Sequence, residues 1–395
     1  MGKLKSFYVE LENPNGVYYA GQIMNGRLVV ELIEEMHMKE IRLIFKGGAE
    51  VYWTETYTSA TEGGDTRDNT ETFAASETYF NQSVPVYGRG LGMGDKCRLP
   101  PGQHFYPFSF QLPSRLPSSF EGGDGYVRYT IRGVIDRSSW IKKDKDTKKP
   151  FTVIALLDLN TYPNSACATQ NQKSKNVCCL CCKSGPVTGK IRVDRIGHVP
   201  GDTVRFQSEI QNLTNRVCKS YVKFYMSITF RTPKKCKAMA REITRVNHQD
   251  VPPGDSEAWA GETFSIPSVP PSDLIGCGII DVDYFIELVA MKLHIPAKII
   301  IGTIPLQVVT QQYQTHPGVS APQLSAQASS YLPTSIPTPS APPMADTLPK
   351  SNTPLPSYSE SVFGRTSIKE SSDSEKTRGD MNFAPSYAYY DWSRH

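Results

Sequence analysis

No stretch of this 395-residue chain is long and apolar enough to span a bilayer, and no leader-type segment opens it. A cytosolic protein is expected. No charge of one sign dominates. Lys and Arg number 43 against 39 Asp and Glu, and the formal net charge of +4 is spread along the chain. That spread excludes a basic face of nucleic-acid type. Catalytic signatures are missing: there is no P-loop, no His-Glu-x-x-His and no Gly-x-Ser-x-Gly. The glycine-rich run Gly88–Gly94 misses dinucleotide spacing, and the seven histidines show no metal-ligand spacing. Neither enzymatic activity nor a cofactor is expected. The nine cysteines are odd in number and irregular in spacing, which argues against a disulfide framework. The sequons at Asn81 and Asn212 carry no weight in a chain that is not exported. Helical stripes of ten residues or more are absent too; Met36–Glu40 is at most one turn.

What is present is period-two patterning from residue 7 to about 310. Val222, Phe224, Met226, Ile228 and Phe230 alternate with Lys223, Tyr225, Ser227, Thr229 and Arg231. In a strand this turns one row inward and the other to solvent. Tyr126–Arg132 repeats the arrangement, with Val127, Tyr129 and Ile131 inside. Further strands are expected at Arg27–Leu32, Glu40–Phe45, Phe151–Leu157, Lys190–Arg195, Thr203–Gln211 and Lys298–Leu306. Short strands divided by Pro, Gly, Asn and Asp turns indicate an all-β chain of antiparallel sandwiches. The basic run Lys142–Lys149, interrupted by acids, reads as a solvated hairpin loop. Met1-Gly2 with Ser6 fits a loose myristoylation pattern, but a strand opening at Phe7-Tyr8-Val9 buries that start.

One unit occurs twice. Pro100-Pro101-Gly102, Phe105–Pro113 and Tyr126–Ile131 correspond to Pro252-Pro253-Gly254, Trp259–Pro267 and Val282–Glu287. Each copy reads turn, strand ending in proline, loop, strand. The openings match as well: Gly21 and Gly201 each stand in a tight turn just before a strand, where positive φ costs glycine least. Duplication implies two related domains, 5–160 and 185–310, joined by a connection over 161–184. Beyond about residue 311, Gln, Ser, Thr, Ala and Pro take over. Such a segment buries too little apolar surface to offset its ordering entropy, so 311–395 is expected to be a disordered tail with polyproline II character.

These residues resemble the arrestin superfamily. The resemblance lies in Tyr18, Gly21 and Gly26 (Tyr-x-x-Gly-x-x-x-x-Gly), in Tyr106-Pro107-Phe108-Ser109-Phe110-Gln111-Leu112-Pro113, and in the second opening, Gly185–Phe206. It covers roughly residues 5 to 310 and implies tandem arrestin-type, immunoglobulin-like sandwiches. Within the superfamily the chain is similar to α-arrestins. Visual and β-arrestins carry an amphipathic helix where Gly88–Gly94 stands here, and the phosphate-sensing polar core of those proteins is not assignable to residues of this chain. The resemblance implies an adaptor that joins membrane receptors or transporters to HECT-type ubiquitin ligases through WW domains. It would work in the cytoplasm and at the plasma membrane and endosomes, associating peripherally with membrane. A ligase-independent, retromer-like scaffold and a thioredoxin-binding regulator are the alternatives. The cysteine that the thioredoxin-binding branch uses corresponds here to Ser256.

Two tail strings carry Pro-x-Tyr: Leu355-Pro356-Ser357-Tyr358 and Ala384-Pro385-Ser386-Tyr387. WW domains grip extended proline-rich peptides in an aromatic groove and seat the tyrosine separately. Neither string has the two adjacent prolines of the family motif. Leucine can still fill part of the groove, which makes the first string the better ligand. Cys178, Cys179, Cys181 and Cys182 leave three readings open: a thiol-rich connection, S-acylation at a membrane face, or a site for zinc or copper(I).

Overall fold

The computed structural model describes residues 3–60, 66–93, 97–137, 144–176, 185–314, 356–370, 373 and 377–392. The first domain holds β1 (Leu4–Leu11), β2 (Val17–Tyr19), β3 (Ile23–Leu32), β4 (Met36–Met38), β5 (Glu40–Ala60), β6 (Thr66–Gly88), β7 (Cys97–Leu99), β8 (Gly102–Gln111), β9 (Phe120–Glu121), β10 (Gly125–Asp136) and β11 (Lys145–Ile154). The second holds β12 (Thr169–Asn176), β13 (Pro186–Val193), β14 (Gly197–His198), β15 (Thr203–Asn212), β16 (Ser220–Arg231), β17 (Cys236–Asn247), β18 (Ser256–Ser265), β19 (Ile280–Ala290) and β20 (Leu293–Ile301), followed by the short helix α1 (Gln307–Gln314). After these come five short tail strands: β21 (Ser357–Glu360), β22 (Thr366–Ser367), β23 (Arg378–Gly379), β24 (Asn382–Phe383) and β25 (Ser386–Tyr389).

The duplication expected from the sequence is the architecture. Sheet order in the first domain is β1-β3-β8 facing β2-β11-β10-β5-β6; in the second it is β13-β15-β18, with β12 added outside β13, facing β14-β20-β19-β16-β17. Each larger sheet has a short parallel edge, β2 on β11 and β14 on β20, and the tail strand β23 also pairs parallel with β11; the other strand pairings are antiparallel. The two glycine openings are equivalent in detail. Gly21 (φ 83°) donates its N–H to Pro113 O at 2.9 Å, and Gly201 (φ 98°) donates to Ile266 O at 2.8 Å. Only glycine takes that backbone without strain.

β16 obeys its pattern: Val222, Phe224, Met226, Ile228 and Phe230 are all buried, and their neighbours are half-buried. Each such side chain contributes about 1.5–3 kcal/mol by leaving water. Two tyrosines sit at the centre of the cores. Tyr129 donates its hydroxyl to Pro117 O at 2.7 Å, and Tyr284 donates to Pro270 O at 2.7 Å. Both are fully buried. Close to each acceptor is a serine that ties down the neighbouring strand. Val153 N donates to Ser119 Oγ at 2.9 Å, and Ile301 N donates to Ser272 Oγ at 2.9 Å.

The structure departs from the sequence reading in four places. Met36–Met38 is strand β4, paired with β7, and not a helical turn. The 161–184 connection contains β12, which pairs along its whole length with β13. Residues 145–149 of the basic run are not a loop: they lie in β11, with Asp146, Thr147 and Lys148 buried. Finally, 356–370 and 377–392, placed by composition in a disordered tail, form β21–β25 and pack against both domains. The reason for the last two is one and the same. The tail covers the outer face of the β10–β11 sheet, so Arg128 and Thr130, expected to face water, are buried.

Phenylalanine at either central tyrosine keeps the packing and strands a buried proline carbonyl. Tyr129→Phe and Tyr284→Phe should each lower unfolding free energy by about 1–2 kcal/mol, read from urea denaturation curves of the purified variants.

Candidate functional site

The domains meet at a waist built from backbone. Leu157 N donates to Thr303 Oγ1 at 2.7 Å, Thr303 N donates to Leu157 O at 2.9 Å, and Asp158 bridges Ile304 in parallel. Asn160 spans the junction twice: its Nδ2 donates to Pro305 O at 2.9 Å, and its Oδ1 accepts from Gln307 N at 2.9 Å. Leu157, Leu159, Val199, Ile300 and Leu306 form a small apolar cluster there, completed by Ala388 and Tyr390 of the tail.

The two Pro-x-Tyr strings come together on this seam. β21 pairs antiparallel with β25, setting Tyr358 opposite Ala388 and Ser359 opposite Tyr387. Leu355 lies outside the described residues. Pro356 is half-buried, Ser357 is exposed, and Tyr358 is half-buried with its hydroxyl 3.1 Å from that of Tyr19. The second string is enclosed. Ala384 and Pro385 are buried, Ser386 donates its N–H to Thr152 Oγ1 at 3.1 Å, and Tyr387 is 3% exposed with its hydroxyl donated to Ser119 O at 3.0 Å. Three residues on, Tyr390 donates its hydroxyl to Thr303 O at 2.8 Å and its N–H to Pro200 O at 3.0 Å. Tyr387 therefore grips the first domain and Tyr390 the second.

Charge fastens the rest of the tail. Lys148 Nζ, almost without exposed surface, reaches Asp373 Oδ2 at 2.9 Å and Glu370 Oε1 at 3.5 Å, and donates to Ile368 O at 3.1 Å. Arg132 and Asp146 stand beside it, and Lys149 meets Asp380 at 2.7 Å. Burial pushes the Asp373 carboxyl up, but the Glu370 backbone N–H, the Lys148 ammonium and Arg132 outweigh it and hold the carboxyl below the usual carboxylate range. Nearby, Glu121 and Arg128 form a buried pair at 2.6 Å, with burial raising the Glu121 carboxyl against the pull of Arg128. On the second domain, Ser268 Oγ donates to Ser359 O at 2.7 Å, and the Arg241 guanidinium lies 3.9 Å over the Phe363 ring.

Sequence reasoning missed Lys148, Asp373, Ser119, Thr303 and Tyr390. One signal was available. Disordered segments are poor in aromatics, yet Phe383, Tyr387, Tyr389, Tyr390 and Trp392 fall within ten residues. The five described cysteines are free thiols; Cys178, Cys179, Cys181 and Cys182 lie outside the described residues. Ser256 opens β18 in an exposed position. Among the described residues no group of His, Cys, Asp and Glu is placed to hold a metal ion, and no helix is long and apolar enough to cross a membrane.

Comparison with known proteins agrees with this geometry. Residues 7–160 match the family described as Arrestin (or S-antigen), N-terminal domain, and residues 183–313 match Arrestin (or S-antigen), C-terminal domain. Arrestin domain-containing protein 17 of Caenorhabditis elegans is 30% identical over 446 aligned positions, which cover 99% of this chain and 100% of that protein. The chain belongs to the arrestin domain-containing, or α-arrestin, family. This α-arrestin is also 28% identical to arrestin domain-containing protein 4 of Mus musculus, over 77% of its own length and 73% of the relative's. It is 27% identical to the thioredoxin-interacting protein of Homo sapiens, over 86% and 84%. With the family comes the general role of an α-arrestin-type trafficking adaptor.

The turn that receives Tyr390 generates a pH prediction. Asp202 Oδ2 accepts from Arg195 Nη2 at 2.7 Å and from Val199 N at 3.1 Å, beside the buried His198. Burial pushes the Asp202 carboxyl up, but His198 and Arg195 outweigh it and hold it below the usual range. A carboxyl depressed on folding contributes stability above its unfolded value, about pH 4. That contribution disappears as pH falls through the folded value. The stability gap between wild type and Asp202→Asn should be widest at about pH 6 and close toward about pH 2, measured by denaturant unfolding across that range.

Proposed function

We propose that this α-arrestin links membrane-protein cargo to WW-domain HECT-type ubiquitin ligases, promoting cargo ubiquitination, endocytosis and endosomal sorting. It acts in the cytoplasm and is recruited to the plasma membrane and endosomes. The observation that carries this reading is the presence of two Pro-x-Tyr strings in one chain, brought side by side by the β21–β25 pairing. Two modest sites on one chain suit a ligase with tandem WW domains, because the second binding event is intramolecular and gains from effective concentration. The mechanism is proximity: the sandwiches hold the cargo, and the ligase is brought beside its lysines.

A ligase-independent scaffold of retromer-like type is the second reading. The burial of Tyr387 favours it, since an enclosed tyrosine serves the fold before it serves a partner. A third reading, thioredoxin binding, draws on the similarity to the human thioredoxin-interacting protein; Ser256 offers no thiol for it.

Replacing both tyrosines separates the first two readings. Tyr358→Ala combined with Tyr387→Ala should abolish capture of the full chain by immobilised tandem WW domains and reduce cargo ubiquitination in cells. Capture at the wild-type level would overturn the ligase reading, and cargo sorting that survives the loss of capture would favour the scaffold.

A further inference from the structure

We propose that residues 356–370, 373 and 377–392 form a clasp that keeps both Pro-x-Tyr strings inside the molecule's own seam, so that a WW domain and the body of the protein compete for them. The proposal rests on the ligase reading for its partner, but its structural half stands on the geometry of the seam alone.

The strings are unavailable as they lie. A WW groove takes a polyproline II peptide and a projecting tyrosine. Here the Ser-Tyr half of each string lies in a β-strand, the two backbones paired with each other from Ser357 opposite Tyr389 to Glu360 opposite Ser386. Pro385 and Tyr387 are buried. No partner can seat the Tyr387 ring while its hydroxyl is donated to Ser119 O.

The clasp is also a separable layer. Its strands run only two to four residues, and several of its fastenings are polar contacts: Asp373 to Lys148, Asp380 to Lys149, Tyr390 to Thr303, Ser359 to Ser268. A cavity of about 270 Å³ remains between it and the domains, lined by Phe120, Glu121, Arg241, Phe363, Pro385 and Tyr387. Asp373, Asp380, Tyr390 and Ser359 lie outside the two strings, so the clasp can be weakened without altering either ligand.

The strings differ in access, which sets an order of events. Tyr358 is half-buried and held by one hydroxyl contact, whereas Tyr387 is enclosed. A WW domain that takes Tyr358 removes β21 from β25 and strips Tyr387 of its strand partner. The first engagement therefore favours the second. In the closed chain the apparent dissociation constant is the intrinsic one divided by the open fraction.

The test titrates a tandem WW-domain protein against four samples: the full wild-type chain, the full chain carrying Asp373→Lys and Tyr390→Ala, and synthetic peptides of residues 352–360 and 381–389. Hydrogen exchange is followed in the two full chains. The wild type should show slow exchange at Ser386–Tyr389, and the variant fast exchange there with β16 and β19 still protected. The variant should bind the WW protein at least tenfold more tightly than wild type. Equal affinity, or wild-type exchange at Ser386–Tyr389 as fast as in the peptide, overturns the clasp. If neither peptide binds, the ligase reading fails, and exchange alone decides whether the clasp exists. Should β16 or β19 lose protection in the variant, Gly379→Ala replaces it. That glycine has φ 98°, and a Cβ there would collide with the Lys148 carbonyl, opening the clasp from the tail side alone.

Discussion

A hydroxyl in the middle of a hydrocarbon core must find an acceptor, and in this protein the acceptor is twice a proline carbonyl. Tyr129 holds Pro117 and Tyr284 holds Pro270. A buried group left without a partner would cost about 1–3 kcal/mol, so the loop before each central strand is pinned against it. The pinned loop presents a serine, Ser119 or Ser272, which takes the N–H of Val153 or Ile301 and so sets the neighbouring strand of the sheet. Each tyrosine thus ties three segments of its sandwich together. In the first domain the chain of contacts continues outward, because Ser119 O accepts the hydroxyl of Tyr387. The seat of the tail is part of the device that holds the core.

The fold was legible where a residue's environment follows from its neighbours in sequence. β16 reads correctly residue by residue because both its faces are governed by local alternation. Gly21 and Gly201 read correctly because the turn each makes requires positive φ. β12 was hidden because Thr169–Asn176 is polar throughout, as suits an exposed edge strand. Arg128, Thr130 and Lys148 were misplaced for a different reason. What covers them comes from more than two hundred residues further along, and no local periodicity carries that information.

The same limit applies to the candidate site. The Pro-x-Tyr strings were identifiable in the sequence as short motifs. Their setting was not, because bulk composition of the last eighty residues is dominated by the Pro, Ser and Thr of the preceding stretch. The aromatic cluster at the end has the opposite character. It forms a third layer over the larger sheet of the first domain, completing an apolar cluster that neither domain closes by itself. For an adaptor this joins two tasks: the segment that carries the strings is the one that braces the body.

Tyr387 and Tyr390 are three residues apart, a span of roughly 10 Å along an extended chain. Yet the first is anchored on one sandwich and the second on the other. An extended peptide of that length is nearly inextensible, and a hydrogen bond fails when stretched by about half an ångström. The pair therefore acts as a calliper across the waist. Both jaws fit at one angle between the domains, and a small rotation lets one of them go. Any rotation of the two sandwiches against each other would therefore load this tyrosine pair.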